Sequence, residues 1–412
     1  MTPGALDGLR VWDASWIGVG PIIARGLADH GATVIRTESA VSPDALRLDG
    51  PYRDGIPGVN RSQFFAEYNA SKLGLAVDLK SEVGRCVGDR LVAWADVIVE
   101  SFRPGAMARL GFGYDDLCAA RPDLIMVSTS MLGQTGPRSA FAGYGDALAA
   151  MAGFCSITGW ADRGPGSPYG AYTDFIAPRF GVLAVMAALT HRRRTGQGQW
   201  IDLAQLETGV QLLGAELLEA GLTGHVTTRR GNRSDRAAPH GVFPCLPSHG
   251  RERWVAIGVE TDAQWHSLAR VVGHPGWQGD CRLAHLAGRK AHEDEIEQVL
   301  TSWTASRTAD AVVHALQPDV PAGWVHDGAA LNADAQVEHR GFFVPLDHTV
   351  MGPTRYGGSP VRMSRTQPGP RKAAPCLGED TREVLHRHLG FTEQEIDLML
   401  ESGGVESDDD PH

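Results

Sequence analysis

Residues 9–38 read LRVWDASWIGVGPIIARGLADHGATVIRTE, and the fold follows from how this stretch divides. LRVWDAS is a short apolar run with the look of a buried strand. PIIARGLADHG carries helical spacing and is closed by Gly31, and ATVIRTES is a second strand. A strand, a helix and a second strand within about thirty residues form a parallel unit, because a chain cannot return parallel to itself without a crossover.

The same alternation continues outward. SEVGRCVGDRLVAWA reads as a helix, DVIVESF as a strand and LIMVSTSML as another. Short, wholly apolar strands between helices indicate a parallel sheet covered on both faces. FIAPRFGVLAVMAALTHRRR, from Phe175 to Arg194, is a long helix whose basic end complements the helix dipole. QWIDLAQLETGVQLLGAELLEAG adds a strand and a further helix. Near Gly224 the composition turns polar and rich in turn residues. The chain therefore divides into a large α/β domain over 1–205, a linker helix over 206–225 and a small α/β domain over 226–335. A return to the large domain follows over 336–405, with a frayed acidic tail over 406–412.

The turn after the first strand resembles part of a dinucleotide fingerprint. Gly18 and Gly20 are in place, and Glu38 follows about twenty residues on. Ile23 stands where the third glycine belongs, and Pro21 removes a backbone donor that a pyrophosphate would use. The pattern reads as an ordinary strand–helix turn.

With 412 residues and a formal net charge of −11, the chain is too long for one ordinary core and too acidic for nucleic acid or an anionic membrane surface. Six scattered cysteines with no C-x-x-C pair argue against zinc and against a disulfide framework. No metal site is expected. No long apolar run or signal segment stands out, so the expected setting is the cytoplasm.

Several blocks are similar to the family III CoA-transferases, the group of formyl-CoA transferase and carnitine CoA-transferase. They are the opening strand–helix–strand, YNASKLGLAVDLK (68–80), ESFRPGAMARLGFGYDDL (100–117), MLGQTGP (131–137), GYGDALAAMAG (143–153), the run from YTDFIAP at Tyr172, and APCLGEDTREVLHRHLGFTEQEI (374–396). The resemblance implies a Rossmann-like large domain built from both chain ends with an inserted small domain, in an interlocked homodimer. It implies transfer of CoA from an acyl-CoA to a carboxylic acid, with no tightly bound cofactor and with coenzyme A as substrate.

By the same resemblance Asp174 is the nucleophile, forming an acyl anhydride and then a CoA thioester. Read alone, Asp174 is an N-cap ahead of a helix starting at Phe175. In that position the helix dipole would keep the carboxylate ionised. Tyr144 stands where the related alpha-methylacyl-CoA racemases place a histidine, and a phenol is a poor base near neutrality. It resembles instead the transferase pattern, which implies an aromatic lining the acyl pocket. A racemase or a non-catalytic acyl-CoA binder are the competing readings. For CoA the resemblance implies Lys72 or Lys80, Arg103 and Arg109 at the phosphates and Phe102 beside the adenine, Arg being suited to phosphate by its planar fork. Trp16, Gly18 and His240 complete the expected pocket. Gly18 and Ser39 replace a glutamine and an arginine of formyl-CoA transferase, which argues against formyl and oxalate substrates. The WIGVGP…PDALR…GPYRDG portion resembles members acting on larger acids, aromatic succinates among them.

Overall fold

The computed structural model describes residues 3–407. The chain forms two compact units. The first runs to Cys155, continues through Ser167–Val226, and resumes from Gln336; the second comprises Ser156–Gly166 and Thr227–Ala335. The short stretch 156–166, which the sequence gives to the large domain, thus clusters with the second unit.

In the first unit the chain begins with β1 (Arg10–Asp13), α1 (Val19–Asp29) and β2 (Thr33–Glu38), the unit expected from residues 9–38. Then come α2 (Gln63–Asn69), β3 (Leu73–Val77), α3 (Glu82–Trp94), β4 (Val97–Glu100) and β5 (Ile125–Ser130). Next are α4 (Gly145–Met151), α5 (Tyr172–Thr195) and β6 (Gln199–Ala204). The sheet order is β12-β3-β2-β1-β4-β5-β6, parallel throughout except β12 (Val405–Glu406), which pairs antiparallel with β3. The segment expected as one linker helix over 206–225 is two helices, α6 (Gln205–Leu212) and α7 (Gly214–Thr223), meeting at Leu213. The tail expected over 406–412 is corrected at its start, because Glu406 is paired with Ala76; residues 408–412 lie outside those described.

Alternate residues of each strand feed opposite faces of the sheet. Trp12, Ile35, Leu75, Ile98 and Met126 pack with Val87 and Leu91 of α3 and with Val384, Leu385 and Ile396 near the C-terminus. Val11, Val34, Val99 and Val127 pack with Leu27 of α1 and with Ala177, Val185 and Leu189 of α5. The C-terminal return is fastened to β3 by Asp380, which accepts from the Gly74 N–H at 2.8 Å, and by Thr381, which accepts from the Ala76 N–H at 3.1 Å. By length and composition α5 could cross a bilayer, which the sequence reading did not anticipate. Its buried face lies in this core, as in a core helix of a globular domain.

The second unit holds the antiparallel strands β7 (His240–Ser248), β8 (Arg251–Gly258) and β9 (Ala322–Trp324) around its own core of Phe243, Val255, Trp265, Leu300 and Val312. A hairpin of β10 (Phe343–His348) and β11 (Gly352–Gly357) belongs to the first unit.

The order 3-2-1-4-5-6 reverses direction between β1 and β4. Open α/β sheets bind ligands outside the carboxyl ends of the strands at such a switch point. The two loops that leave this point are Ala14–Gly18 and Ser101–Gly105.

Candidate active site

The loop after β1 is fixed residue by residue. Ser15 N–H donates to Asp13 Oδ1 at 3.0 Å, Trp16 N–H to Ser101 Oγ at 2.8 Å and Ile17 N–H to Asp44 Oδ2 at 3.0 Å. The Ser101 hydroxyl donates back to Trp16 O at 3.0 Å, and Arg36 Nη1 donates to Ser15 O at 2.9 Å. Ile17 is held at φ 64°, a costly conformation for a β-branched residue, which persists only where its surroundings over-determine it.

Beneath the loop lies a buried charge network. Asp13, Glu38 and Asp44 interlock with Arg36, Arg47 and Lys72, three acids against three bases. Burial alone would raise the Glu38 carboxyl, but Arg47 and Arg36 outweigh it and bring it down to about 2. Glu38 is therefore committed to its arginines and unavailable to a ribose, which ends the dinucleotide reading. Lys72 is corrected for the same reason. It is fully buried and donates to Asp13 at 2.7 Å, Asn69 Oδ1 at 2.8 Å and Pro21 O at 2.9 Å, so it braces the loop and reaches no cofactor. Burial pulls its ammonium down to about 8, against the favourable pull of Asp13.

Two cavities open at the switch point. One of about 320 Å³ brings together Asp174, Tyr144, Gly18, Trp16, Phe102 and Arg103. The other, of about 700 Å³, is lined by Trp16, Phe102, Lys80 and Arg109, together with Val77, Leu79, Ala106 and Leu110. Trp16 and Phe102, their ring centroids 6.2 Å apart, contribute to both. Phe102 is set by Glu100, which accepts its N–H at 2.8 Å and whose carboxyl burial pushes up to about 7. His240 belongs to the second unit, where its Nδ1 faces Asn232 O.

Asp174 differs from the expected cap. The α5 helix begins at Tyr172, with Ala171 as an N-cap lacking a side-chain bond, so Asp174 is the third helical residue. Its carboxyl is raised from its ordinary value to about 6, first by burial and then by the neighbouring charge of Asp146. The helix start does not keep it strongly ionised, because desolvation is the larger effect. Two glycines crowd it. A β-carbon at Gly18 would lie 3.2 Å from Asp174 Oδ2, and one at Gly145 would lie 2.9 Å from its carboxyl carbon.

The sequence reading missed Ser101, Asp146, Tyr68, Thr129 and Ser130. Tyr68 has its phenol raised by burial and then by the charge of Asp174. Thr129 and Ser130 border the Asp174 cavity with buried hydroxyls that have no hydrogen-bond partner among the described residues. Asp146 and Ser101 sit one or two residues from positions that were singled out. Hydroxyls at a strand's carboxyl end beside a switch point are a usable signal for the other two. Among the described residues no group of three or more His, Cys, Asp and Glu could hold a metal.

Residues 6–381 match the family model for CoA-transferase family III. The chain belongs to that family. It is 31% identical over 398 residues to a succinyl-CoA–D-citramalate CoA-transferase of Chloroflexus aurantiacus, covering 96% of this chain and 97% of that one. It is 33% identical over 386 residues to a succinate–glutarate CoA-transferase of Agrobacterium fabrum, covering 92% and 94%. Among solved structures, a CAIB/BAIF family protein from Brucella suis superposes with a TM-score of 0.85 at 29% identity, covering 94% of this chain and all of that one. This transferase is an enzyme acting on CoA thioesters and carboxylic acids, and its switch-point cavities are where those substrates are to be sought.

Proposed function

We propose that this family III transferase moves CoA between dicarboxylic acids, with Asp174 as the covalent carrier. The observation that carries the reading is a half-buried carboxylate in the switch-point cavity that makes no ion pair among the described residues. A group that is poorly solvated and unpaired is a better nucleophile than one held in an ion pair, and near neutrality most of it is ionised. One Asp174 oxygen attacks the thioester carbonyl, the carbon–sulfur bond breaks, and CoA leaves as thiolate. The thiolate then attacks the aspartyl carbonyl of the mixed anhydride, releasing the donor acid and leaving CoA on Asp174. The acceptor carboxylate attacks this thioester and expels the thiolate, forming a second mixed anhydride. The thiolate then attacks the acceptor's acyl carbon, and the bond to the Asp174 oxygen breaks, giving the new acyl-CoA and restoring the Asp174 carboxylate. No water is consumed, so the activated acyl group is conserved.

Lys80 and Arg109, which make no side-chain ion pair among the described residues, are assigned to the CoA phosphates, with the nucleotide against Trp16 and Phe102. The dicarboxylate class is carried over from the relatives, named for succinyl-CoA, citramalate and glutarate. Among the described residues no histidine lines the Asp174 cavity, which disfavours a proton-shuttling racemase.

A second copy of the chain is the proposed cover for Val210, Leu212, Leu217, Leu218 and Leu222 on α6 and α7, all exposed. Six scattered cysteines with no C-x-x-C pair fit a reducing, cytoplasmic setting.

The test is to incubate the enzyme with succinyl-CoA, quench with hydroxylamine and map the peptides. An aspartyl hydroxamate at Asp174 is expected. Label at another carboxylate, or normal transfer by an Asp174→Ala protein, overturns the assignment.

A further inference from the structure

We infer that Arg103 is a specificity-determining residue, the group that holds the far carboxylate of a dicarboxylic acyl chain while its near end reacts at Asp174. The inference rests on the transferase reading above and adds to it the atom group that selects the substrate.

Three cations around the two cavities make no side-chain ion pair or hydrogen bond among the described residues, and they are segregated. Lys80 and Arg109 line the larger, mostly apolar cavity, whereas Arg103 lines the smaller one with Asp174. Among the described residues Arg103 is the one Lys or Arg in the lining of that smaller cavity. Most other arginines near the switch point are already consumed. Arg36 and Arg47 are buried in the charge network, and Arg25 is bound to Asp29 and Glu67. An unpaired guanidinium lining the same cavity as the nucleophilic carboxylate suits an acyl group that brings a second negative charge.

The steric side agrees. Gly18 carries no side chain at the place where a β-carbon would sit 3.2 Å from Asp174 Oδ2, so that face of the carboxylate is open to an acyl chain. A planar guanidinium can take a carboxylate with two parallel hydrogen bonds, which fixes chain direction as well as charge. Acyl groups with a terminal carboxylate, about succinyl to glutaryl in size, meet both requirements.

The experiment measures kcat/KM for Arg103→Gln and Arg103→Lys against the unmodified enzyme with matched pairs: succinyl-CoA and butyryl-CoA as donors, glutarate and pentanoate as acceptors. Arg103→Gln should lose about 10- to 100-fold on the dicarboxylic member of each pair, mainly through KM. Its loss on the monocarboxylic member should be at least tenfold smaller, and Arg103→Lys should fall between. An equal loss on both members would mean that Arg103 serves CoA itself and overturns the inference, as would an unmodified enzyme that prefers pentanoate. Either result leaves Asp174 labelling intact, so failure of this inference is separable from failure of the transferase mechanism. The Arg103 side chain is exposed and unpaired, so a thermal melt should show the variants folded.

Discussion

The switch point holds two sets of acidic groups in opposite states. Asp13, Glu38 and Asp44 are buried and each meets a cation, whereas Asp174 is half-buried and, among the described residues, has no ion pair and feels the charge of another acid, Asp146. Burial raises a carboxyl in both places. Where arginines answer it, Glu38 ends near 2; where nothing does, Asp174 ends near 6. The first set is scaffold, since a fully paired network leaves no charge for a substrate. The second is poised for chemistry, and the scaffold holds the loop whose Gly18 lies against it.

Four perturbations probe that contrast, in decreasing order of expected effect. Replacing Asp174 by Ala should lower kcat by at least about 10³-fold with the melting curve preserved, as for loss of a covalent nucleophile. A structural carboxylate would give the reverse pattern. Breaking the scaffold with Lys72→Met leaves Asp13 with fewer partners in the interior. It should cost roughly 3–5 kcal/mol in urea unfolding, and a loss under about 1 kcal/mol would show that the network is not what holds the loop.

The third concerns stability against pH. A carboxyl raised in the folded state favours folding at low pH, and that contribution is lost as pH rises through about 6. Asp174→Asn should therefore be more stable than the parent at pH 8, on the order of 1–2 kcal/mol after allowing for partial exposure. The gap should close toward pH 4, and an Asn variant less stable at pH 8 would contradict an unpaired Asp174.

The smallest effect is on the pH–rate profile. The acid limb of kcat/KM should lie near pH 6. Asp146→Asn should move it to lower pH by a fraction of a unit, because only the lesser of the two causes is removed. No movement would take Asp146 out of the site's electrostatics.

Much of this site was legible in the chain. Trp16, Gly18, Phe102, Arg103, Tyr144 and Asp174 are scattered over more than 150 positions, yet they line one cavity. Their blocks are recognisable because each sits at the end of a strand or the start of a helix, where local sequence is constrained. Lys72 misled for a physical reason. A lysine in a motif looks like a phosphate ligand until its ammonium is found buried on Asp13. His240 lies in the second unit, where the composition change near Gly224 places it, at the start of β7.

The sequence alone determined the parallel α/β core, because apolar strands alternating with capped helices have few other solutions, and it determined the family through blocks in register. It did not settle the state of any charge. Whether a carboxylate is paired or alone depends on groups far apart in the chain, such as Asp13 with Lys72 or Asp174 with Asp146. Only the tertiary structure brings those groups together, and the low dielectric it creates turns their distances into pKa values and chemistry.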